Sequence, residues 1–378
     1  MTENEIMLLF PQQRNRFSDI HNVFSDLYDG LKKLHVTAEI VEIENNLMGK
    51  STFNPPFVVN RVSLEKAIQI IEGDKPFITI DDFYLLSQFH RLKTNLESGL
   101  IWAQYFYGHK YIFSQYRQLD QSDGLVAKIS GFIPSSLYLK QARFYTEPLK
   151  RSNLIAQSLW SLLLLNRVYN LRCKGTVYLP INPYYYDFDL NNRRARKVLI
   201  FFGEESDTNL KELFDILKVI INENYRFELH GFGNKKLSEQ FIKTYGIHIE
   251  FHSDVERREL SAFYNTCLFT INPVYNGTFE KVPIESLLVG TPVISYYQPF
   301  LEVTGEGKLF ANIQNKMEVI DKVRHWTSDD LSVERATIRR RILSTMNNAK
   351  VANDLLQQMR WCGIRVPESR DDTVNEIS

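Results

Sequence analysis

The chain has 378 residues, of which 44% are hydrophobic and 24% charged, and this length suits two globular domains of similar size. Lysine plus arginine and aspartate plus glutamate each number 45, so the chain has no net charge that would favour nucleic acid or an anionic membrane. The three cysteines are far apart and show neither metal-ligand spacing nor a disulfide framework, which indicates a reducing compartment.

No segment of the sequence predicts a membrane span. The N-terminus is acidic and lacks the pattern of a secretory signal. The longest apolar run, around Leu162–Leu165, is far shorter than the roughly 20 residues that cross a bilayer. We therefore expect a cytoplasmic protein without a nucleic-acid partner, and peripheral contact with a membrane stays open.

The first half of the chain alternates between short apolar runs and segments with helical spacing of apolar residues. Strands are predicted at Ile6–Phe10, Ala38–Ile43, Pro76–Ile80, Leu100–Phe106, Asn153–Ser158 and Thr176–Leu179. Helices are predicted at Phe17–Leu34, at Val62–Glu72 and in the segment that follows Ser158 and runs through Leu171. This alternation predicts a largely parallel sheet covered by helices on both faces.

A polar, turn-rich stretch between Ile181 and Lys197 interrupts the alternation. We interpret residues 184–197 as a linker between an N-terminal domain (1–183) and a second domain (198–332). The stretch begins with three tyrosines, Tyr184–Tyr186, and a second aromatic cluster lies at Trp102–Tyr107. Both clusters are compatible with stacking on a sugar or with packing in the core.

The alternation then resumes and predicts a second domain of the same class. Strands are predicted at Val198–Phe202, Arg226–His230, Ile247–Phe251, Leu268–Asn272 and Pro292–Ser295, and helices at Leu210–Asn222, Glu256–Tyr264 and Val282–Val289. Two successive doubly wound, Rossmann-like α/β domains are therefore expected. The remaining residues, 333–378, contain a charged helical segment, Val333–Trp361, that could pack across both domains, and a polar tail.

The segment Pro273–Val293 has the physical features of a nucleotide site. A strand ends at its start, a loop with Gly277 follows, and a helix begins near Val282. The N–H groups at this helix start, around Thr278–Val282, form a cradle for a phosphate. Glu285, in the first turns of the helix, can accept hydrogen bonds from ribose hydroxyls.

This segment resembles the donor-binding signature of retaining glycosyltransferases of family 4 (glycosyl transferases group 1). The positions in register with the signature are Pro273, Phe279, Pro283, Glu285, Gly290, Thr291, Pro292 and Val293. Gly231 and Gly233 resemble the family's glycine turn, where small residues let the backbone approach the donor. Arg257–Tyr264 and Glu302–Gly307 resemble the flanking segments, so the likeness extends from Val198 onward.

The resemblance implies the GT-B fold, with two Rossmann-like domains and a C-terminal helix packing back across both. It implies transfer of a sugar from a nucleoside-diphosphate sugar (UDP-, GDP- or dTDP-linked) to a hydroxyl acceptor, such as a glycan or a lipid-linked molecule, with retention. It also implies no tightly bound cofactor and no metal. The candidate donor-binding residues are Gly203, Thr208, Asn209, Gly231, Gly233, Gly277, Thr278, Phe279, Val282, Glu285 and Thr291.

Two departures from the family pattern leave the diphosphate and sugar contacts open. The family usually places a first glutamate eight residues before the second, and that position here is Gly277, with Glu280 as the nearest replacement. The family also places an arginine and a lysine after the first strand of the second domain. Here Glu204-Glu205 follow Gly203, and the later position falls near Thr208–Asn209. Replacement cations could be Lys281, Lys235, Lys236, Arg194 or Arg196, or these residues could be ordinary surface groups.

On the acceptor side, the resemblance points to Tyr105 and His109, which follow the strand at Leu100–Ala103, although packing roles are equally compatible. The candidate catalytic residues are Glu285, Lys281, Glu280, His109 and Tyr105. An alternative is a catalytically inactive glycosyltransferase-like subunit that binds a partner or ligand, and Gly277 and Glu204-Glu205 favour it. Another GT-B enzyme, such as a sugar-nucleotide epimerase, fits the order of the signature less well.

Overall fold

The computed structural model describes residues 5–12, 19–44, 59–73, 75–103, 146–167, 169–189, 195–203, 208–223, 225–253, 255–275 and 280–367. The chain divides into two compact units. The first unit contains residues 1–182 and 346–378, and the second contains residues 183–345.

The first unit is built on a parallel sheet. Its described strands are β1 (Ile6–Pro11), β2 (Ala38–Ile43), β3 (Asn60–Val62), β4 (Phe77–Ile80), β5 (Gly99–Ala103), β6 (Asn153–Ala156) and β7 (Cys173–Thr176). Its described helices are α1 (Asp19–Lys33), α2 (Leu64–Glu72), α3 (Phe83–Leu92) and α4 (Leu159–Arg167). The strand order is β3-β2-β1-β4-β5-β6-β7, and every pairing is parallel. The central strands are buried along their whole length, as expected for a sheet covered on both faces.

The end of the chain completes this first unit. Helix α12 (Asn348–Trp361) packs against α1, and Lys33 Nζ lies 3.0 Å from Asn348 Oδ1. A Cβ atom on Gly30 would lie 2.2 Å from the carbonyl oxygen of Asn348, so glycine is needed for this close approach. The strand-like contact of Ile181 with Asn347 fixes the same segment.

The second unit has its own parallel sheet. Its described strands are β8 (Lys197–Phe202), β9 (Glu228–Gly233), β10 (Glu250–His252), β11 (Phe269–Asn272), β12 (Val293–Ser295) and β13 (Phe310–Asn312). Its described helices are α5 (Leu210–Asn222), α6 (Lys235–Tyr245), α7 (Arg257–Thr266), α8 (Lys281–Leu288), α9 (Leu301–Thr304), α10 (Lys316–Ser328) and α11 (Ser332–Met346). The order β10-β9-β8-β11-β12-β13 places a topological switch point between β8 and β11.

The predicted fold class is confirmed, and most of the predicted strands are present within a few residues. The strand predicted at Thr176–Leu179 is displaced, because the residues that pair with β6 are Cys173–Thr176. Val62 belongs to β3, and α2 begins only after Ser63, whose side chain accepts a hydrogen bond from the Lys66 amide. Helices α3, α6, α9 and α10 and the strands β3 and β13 were not predicted.

The predicted helix at Val333–Trp361 is two helices, α11 and α12. The break falls at Asn347, whose extended backbone (φ −54°, ψ 135°) leaves the helical region and whose side chain caps the Ala349 amide. α11 is tied to the second unit by Arg339, which donates to the carbonyl oxygen of Leu288 at 2.9 Å, and α12 belongs to the first unit.

Candidate functional site

The carboxyl ends of β8 and β9 require glycine. A Cβ atom on Gly203, just after β8, would lie 2.6 Å from the Val274 side chain. Gly233, the last residue of β9, has a φ of +98°, and its Cβ would lie 2.3 Å from the carbonyl oxygen of Phe202. The predicted positions Gly203 and Gly233 thus lie at the carboxyl edge of the sheet, where ligands of open α/β sheets bind.

The segment before α5 is joined to the segment after β11. Thr208 forms an antiparallel bridge with Val274, and the Asn209 amide donates to the carbonyl oxygen of Pro273 at 2.9 Å. Asn209 also begins α5, because its side-chain oxygen accepts from the Glu212 amide at 3.1 Å. The two predicted positions Thr208 and Asn209 therefore bring the start of α5 to the switch point of the sheet.

Helix α8 begins at Lys281, and its N-cap residue, Glu280, makes no capping hydrogen bond through its side chain. Lys281 is buried in spite of its charge, with 4% of its surface exposed, and Val282 is buried beside it. The start of α8 thus places a lysine next to the first N–H groups of the helix. Because the Glu280 side chain does not cap these N–H groups, other acceptors can bind them.

Glu285 is the most constrained of the predicted site residues. Its carboxylate is buried, Oε1 accepts a hydrogen bond of 2.5 Å from the Tyr186 hydroxyl, and Oε2 accepts one of 3.5 Å from the Tyr264 hydroxyl. Tyr186 follows a short 3-10 turn (Pro183–Tyr185), and Tyr264 belongs to α7. The carboxylate is therefore oriented by two neutral donors from different segments of the second unit.

Arg257, at the start of α7, extends this network. Its guanidinium lies 3.5 Å from the Tyr186 hydroxyl and 4.4 Å from the centre of the Tyr185 ring, a cation–π arrangement. Arg339 of α11 donates to the backbone oxygen of Tyr186 at 3.4 Å. Tyr186 is thus held through both its hydroxyl and its backbone, which fixes the position of its bond to Glu285.

Other predicted donor residues contact the protein itself. The Thr291 hydroxyl donates to the carbonyl oxygen of Tyr264 at 2.6 Å and is completely buried. A Cβ atom on Gly231 would lie 3.0 Å from both Ile249 and Phe202. In the described structure Thr291 fixes α7 against the start of β12, and Gly231 allows close packing within the sheet.

Several predicted positions lie outside the described residues: Tyr105, His109, Glu204, Glu205, Gly277, Thr278 and Phe279. Among the aromatic clusters, Trp102 has a packing role, since it is buried and its indole N–H donates to the Val177 carbonyl at 2.8 Å. Sequence reasoning did not foresee Tyr186 as the partner of Glu285, nor Arg257 as a neighbour of Tyr186. The tyrosine triplet before the second domain was the available signal.

Comparisons with known proteins agree with this architecture. Residues 196–329, about a third of the chain, match the family described as Glycosyl transferases group 1. No curated protein matches the sequence. None of the helices in the described part of the chain has the length and hydrophobicity needed to traverse a bilayer.

Solved structures resemble the chain over nearly its whole length. Sucrose-phosphate synthase from Thermosynechococcus elongatus is 12% identical with a TM-score of 0.70, over 95% of this chain and 98% of that one. An alpha-glucosyltransferase in complex with UDP and a 13-mer DNA is 10% identical with a TM-score of 0.64, over 94% and 99%. Anabaena HepE in complex with UDP and glucose is 13% identical with a TM-score of 0.59, over 94% and 99%. The second unit therefore contains a glycosyl transferases group 1 domain, in a chain with the GT-B fold.

Proposed function

We propose that the protein is a glycosyltransferase that moves a sugar from a nucleoside-diphosphate sugar to a hydroxyl acceptor with retention at the anomeric carbon. The observation that carries this proposal lies at the switch point of the second sheet, where the segment that leads into α5 pairs with the segment that follows β11. α5 begins beside β8 and α8 follows β11, and the Thr208–Val274 bridge joins the two segments. Helix N-termini at such an edge bind phosphate groups through their N–H groups and dipoles.

The diphosphate would lie against these helix starts. Gly203 and Gly233 leave no side chain between the strand ends and a ligand, and the Lys281 ammonium adds a positive charge at the start of α8. In the reaction, negative charge develops on the leaving diphosphate as the sugar departs. Fixed N–H groups and a lysine stabilise that charge without reorganisation.

Glu285 would hold the ribose. An ionised carboxylate has about four acceptor positions, and the two tyrosine hydroxyls occupy two of them. The remaining positions can accept hydrogen bonds from the ribose hydroxyls. Tyr105 and His109 stay predictions for the acceptor side, and Glu280 stays a prediction for the donor sugar.

The first test is a thermal-shift measurement with UDP, GDP and dTDP and their sugars, because a ligand that binds the native state raises its melting temperature. UDP is expected to give the largest shift, since two structural neighbours are complexes with UDP. Glu285→Gln should reduce the shift, while Glu239→Gln, an exposed residue of α6, serves as the matched control. The absence of a shift with every nucleotide would contradict the proposal.

The second test is transfer itself. Donor hydrolysis and transfer to glycan and lipid-linked acceptors are measured, and nuclear magnetic resonance of the product gives its anomeric configuration. DNA belongs in the acceptor panel because one neighbour is a complex with a 13-mer DNA, although the balanced charge of this chain predicts no transfer to it. Inversion at the anomeric carbon would contradict retention.

A catalytically inactive, ligand-binding subunit is the second candidate. Gly277 at the position of the family's first glutamate favours it, as does the engagement of both Glu285 oxygens by tyrosines. This candidate predicts a nucleotide-dependent thermal shift without hydrolysis or transfer of any donor sugar. Detectable turnover that Glu285→Gln removes would exclude it.

A further inference from the structure

Two histidines and a glutamate converge on neighbouring strands of the second unit. His230 lies on β9, and Glu250 and His252 lie on β10, with His230 and Glu250 in register. His230 Nδ1 lies 2.9 Å from His252 Nε2 and 3.7 Å from Glu250 Oε2. His252 Nε2 lies 3.9 Å from Glu250 Oε1. One ligand atom from each side chain can therefore face a common point.

We propose that His230, Glu250 and His252 bind a zinc ion. The candidate ligand atoms all lie within 4.8 Å of one another. In a tetrahedral zinc site the Zn–N bonds are about 2.0–2.1 Å, so neighbouring ligand atoms are separated by about 3.3 Å. Small side-chain rotations convert the observed arrangement to that geometry. Two imidazoles with one carboxylate and an open fourth position for water form a ligand set that zinc accepts.

The burial of His230 supports a ligand at this position. Its side chain is 5% exposed, and within the described part of the chain its Nε2 atom has no hydrogen-bond partner. Glu228 Oε2 lies 3.7 Å from that atom and 3.4 Å from Lys197 Nζ, and the Glu228 side chain is 71% exposed. In metal sites the second ring nitrogen of a histidine ligand commonly donates to a carboxylate, which sets the tautomer. Glu228 is placed for that role when Nδ1 binds the ion.

The surroundings of His252 are also suitable. The Phe263 ring of α7 lies 4.4 Å from the His252 ring and covers one side of the cluster. His252 and Phe263 both line an open cavity of about 570 Å³, so the cluster adjoins solvent at His252.

The ion would have a structural role. It would join the three-residue edge strand β10 to β9 by bonds that the backbone pairing alone does not supply. It would also brace Phe263, whose neighbour along α7, Tyr264, contacts Glu285. Zinc would therefore stabilise the second unit without taking part in sugar transfer.

The experiment uses the untagged full-length protein, freed of metal by a chelator and titrated with zinc in a calorimeter. We expect saturable uptake of one zinc ion per chain and a rise in melting temperature. His252→Ala should weaken binding at least about 100-fold, because even residues that only orient a metal ligand change affinity about 10–100-fold. Glu250→Gln, at an exposed position, should weaken it as well and tests the site if His252→Ala folds poorly.

His248→Ala is the matched control, since His248 is an exposed histidine two residues before Glu250 and lies outside the cluster. It should bind zinc as the unmodified protein does. Co²⁺ added to the metal-free protein should give the visible absorption of a four-coordinate ion, and His252→Ala should lack it. The proposal is overturned if the unmodified protein shows no saturable uptake, or if it binds zinc no more tightly than His252→Ala and Glu250→Gln.

Discussion

Each unit contains a buried glutamate, and the two have different kinds of hydrogen-bond partner. In the first unit, Glu42 of β2 is 1% exposed and lies 2.8 Å from the Arg61 guanidinium and 3.5 Å from His21 Nε2. In the second unit, Glu285 of α8 is 7% exposed, and its two oxygens face the hydroxyls of Tyr186 and Tyr264. One carboxylate is balanced by charge and the other is solvated by neutral groups.

We infer that the Glu42 carboxylate is structural and that the Glu285 carboxylate is suited to ligand binding. Glu42 and Arg61 are register partners on adjacent strands, so their ion pair reinforces the pairing of β2 with β3. Tyrosine hydroxyls, in contrast, carry no charge and offer Glu285 the same type of hydrogen bond that a ribose hydroxyl offers. We infer that substitution at Glu42 acts on folding and substitution at Glu285 acts on the donor.

The largest expected effect is on the stability of the Glu42→Ala variant. Removing one partner of a buried ion pair is strongly destabilising, and we expect a loss of about 3 kcal/mol in the free energy of unfolding. This is the low end of the usual range, because the Arg61 side chain is 31% exposed. Urea denaturation of the purified variant measures it. Activity per folded molecule should be unchanged, and its loss would place Glu42 among the functional residues.

Glu285→Gln should show the opposite pattern. The amide preserves the shape of the side chain, but it loses the charge and one acceptor position, so donor binding in the transition state suffers. We expect kcat/KM for transfer to fall on the order of 100-fold, which corresponds to about 2.7 kcal/mol. Steady-state kinetics with the donor varied measures this, and urea denaturation gives the accompanying stability change. A loss of stability like that of Glu42→Ala, with kcat/KM retained, would make both glutamates structural.

The contrast also shows what the sequence could and could not predict. The prediction of Glu285 as a site residue rests on a local context, a loop, a helix start and a glycine turn, that is contiguous in the sequence. Its partner Tyr186 lies 99 positions away, and only tertiary packing brings the two together. The same holds for His230 and His252, whose 22-residue separation matches no compact metal motif and is closed by the register of β9 with β10.

The secondary-structure predictions also succeeded where the signal was local in the sequence and failed where it was not. Strand β1 is a continuous apolar run, so it was predicted closely. Helix α6 was missed because its sequence is strongly polar, and the signals that define it are the Asn234 cap and Gly246, which ends it with a φ of +69°. The strand β3 has three residues and is a strand because it pairs with β2. Short elements defined by a neighbour carry little local signal.

A smaller loss of stability is expected from Tyr186→Phe, which tests the neutral hydroxyl partners of Glu285. The change removes the hydroxyl that donates to Glu285 Oε1 and leaves the ring in place. A hydrogen bond to a charged group contributes about 1.5–3 kcal/mol, and we expect the lower figure because a water molecule or a ribose hydroxyl can replace the donor. Thermal denaturation with and without UDP measures it. A matched variant is Tyr185→Phe, whose hydroxyl makes no described bond to Glu285. Equal losses of stability in the two variants would show that the hydrogen bond from the Tyr186 hydroxyl to Glu285 contributes nothing beyond the loss of a tyrosine hydroxyl.

The smallest expected effect is the dependence of stability on pH, which tests the charged partners of Glu42. Burial alone raises the pKa of Glu42, but hydrogen bonds from His21 and Arg61 and their charges outweigh it, so the pKa lies below its ordinary value of 4.5. The unfolded chain therefore binds the proton more readily than the folded one. The stabilisation from Glu42 is complete above the ordinary pKa and is lost as pH falls from there through the lowered value. Urea denaturation between about pH 6 and pH 3 should show the unmodified protein losing more stability than Glu42→Gln, because only the former carries this proton linkage. Parallel pH curves for the two proteins would mean that the ion pair does not contribute, and the contrast with Glu285 would then rest on burial alone.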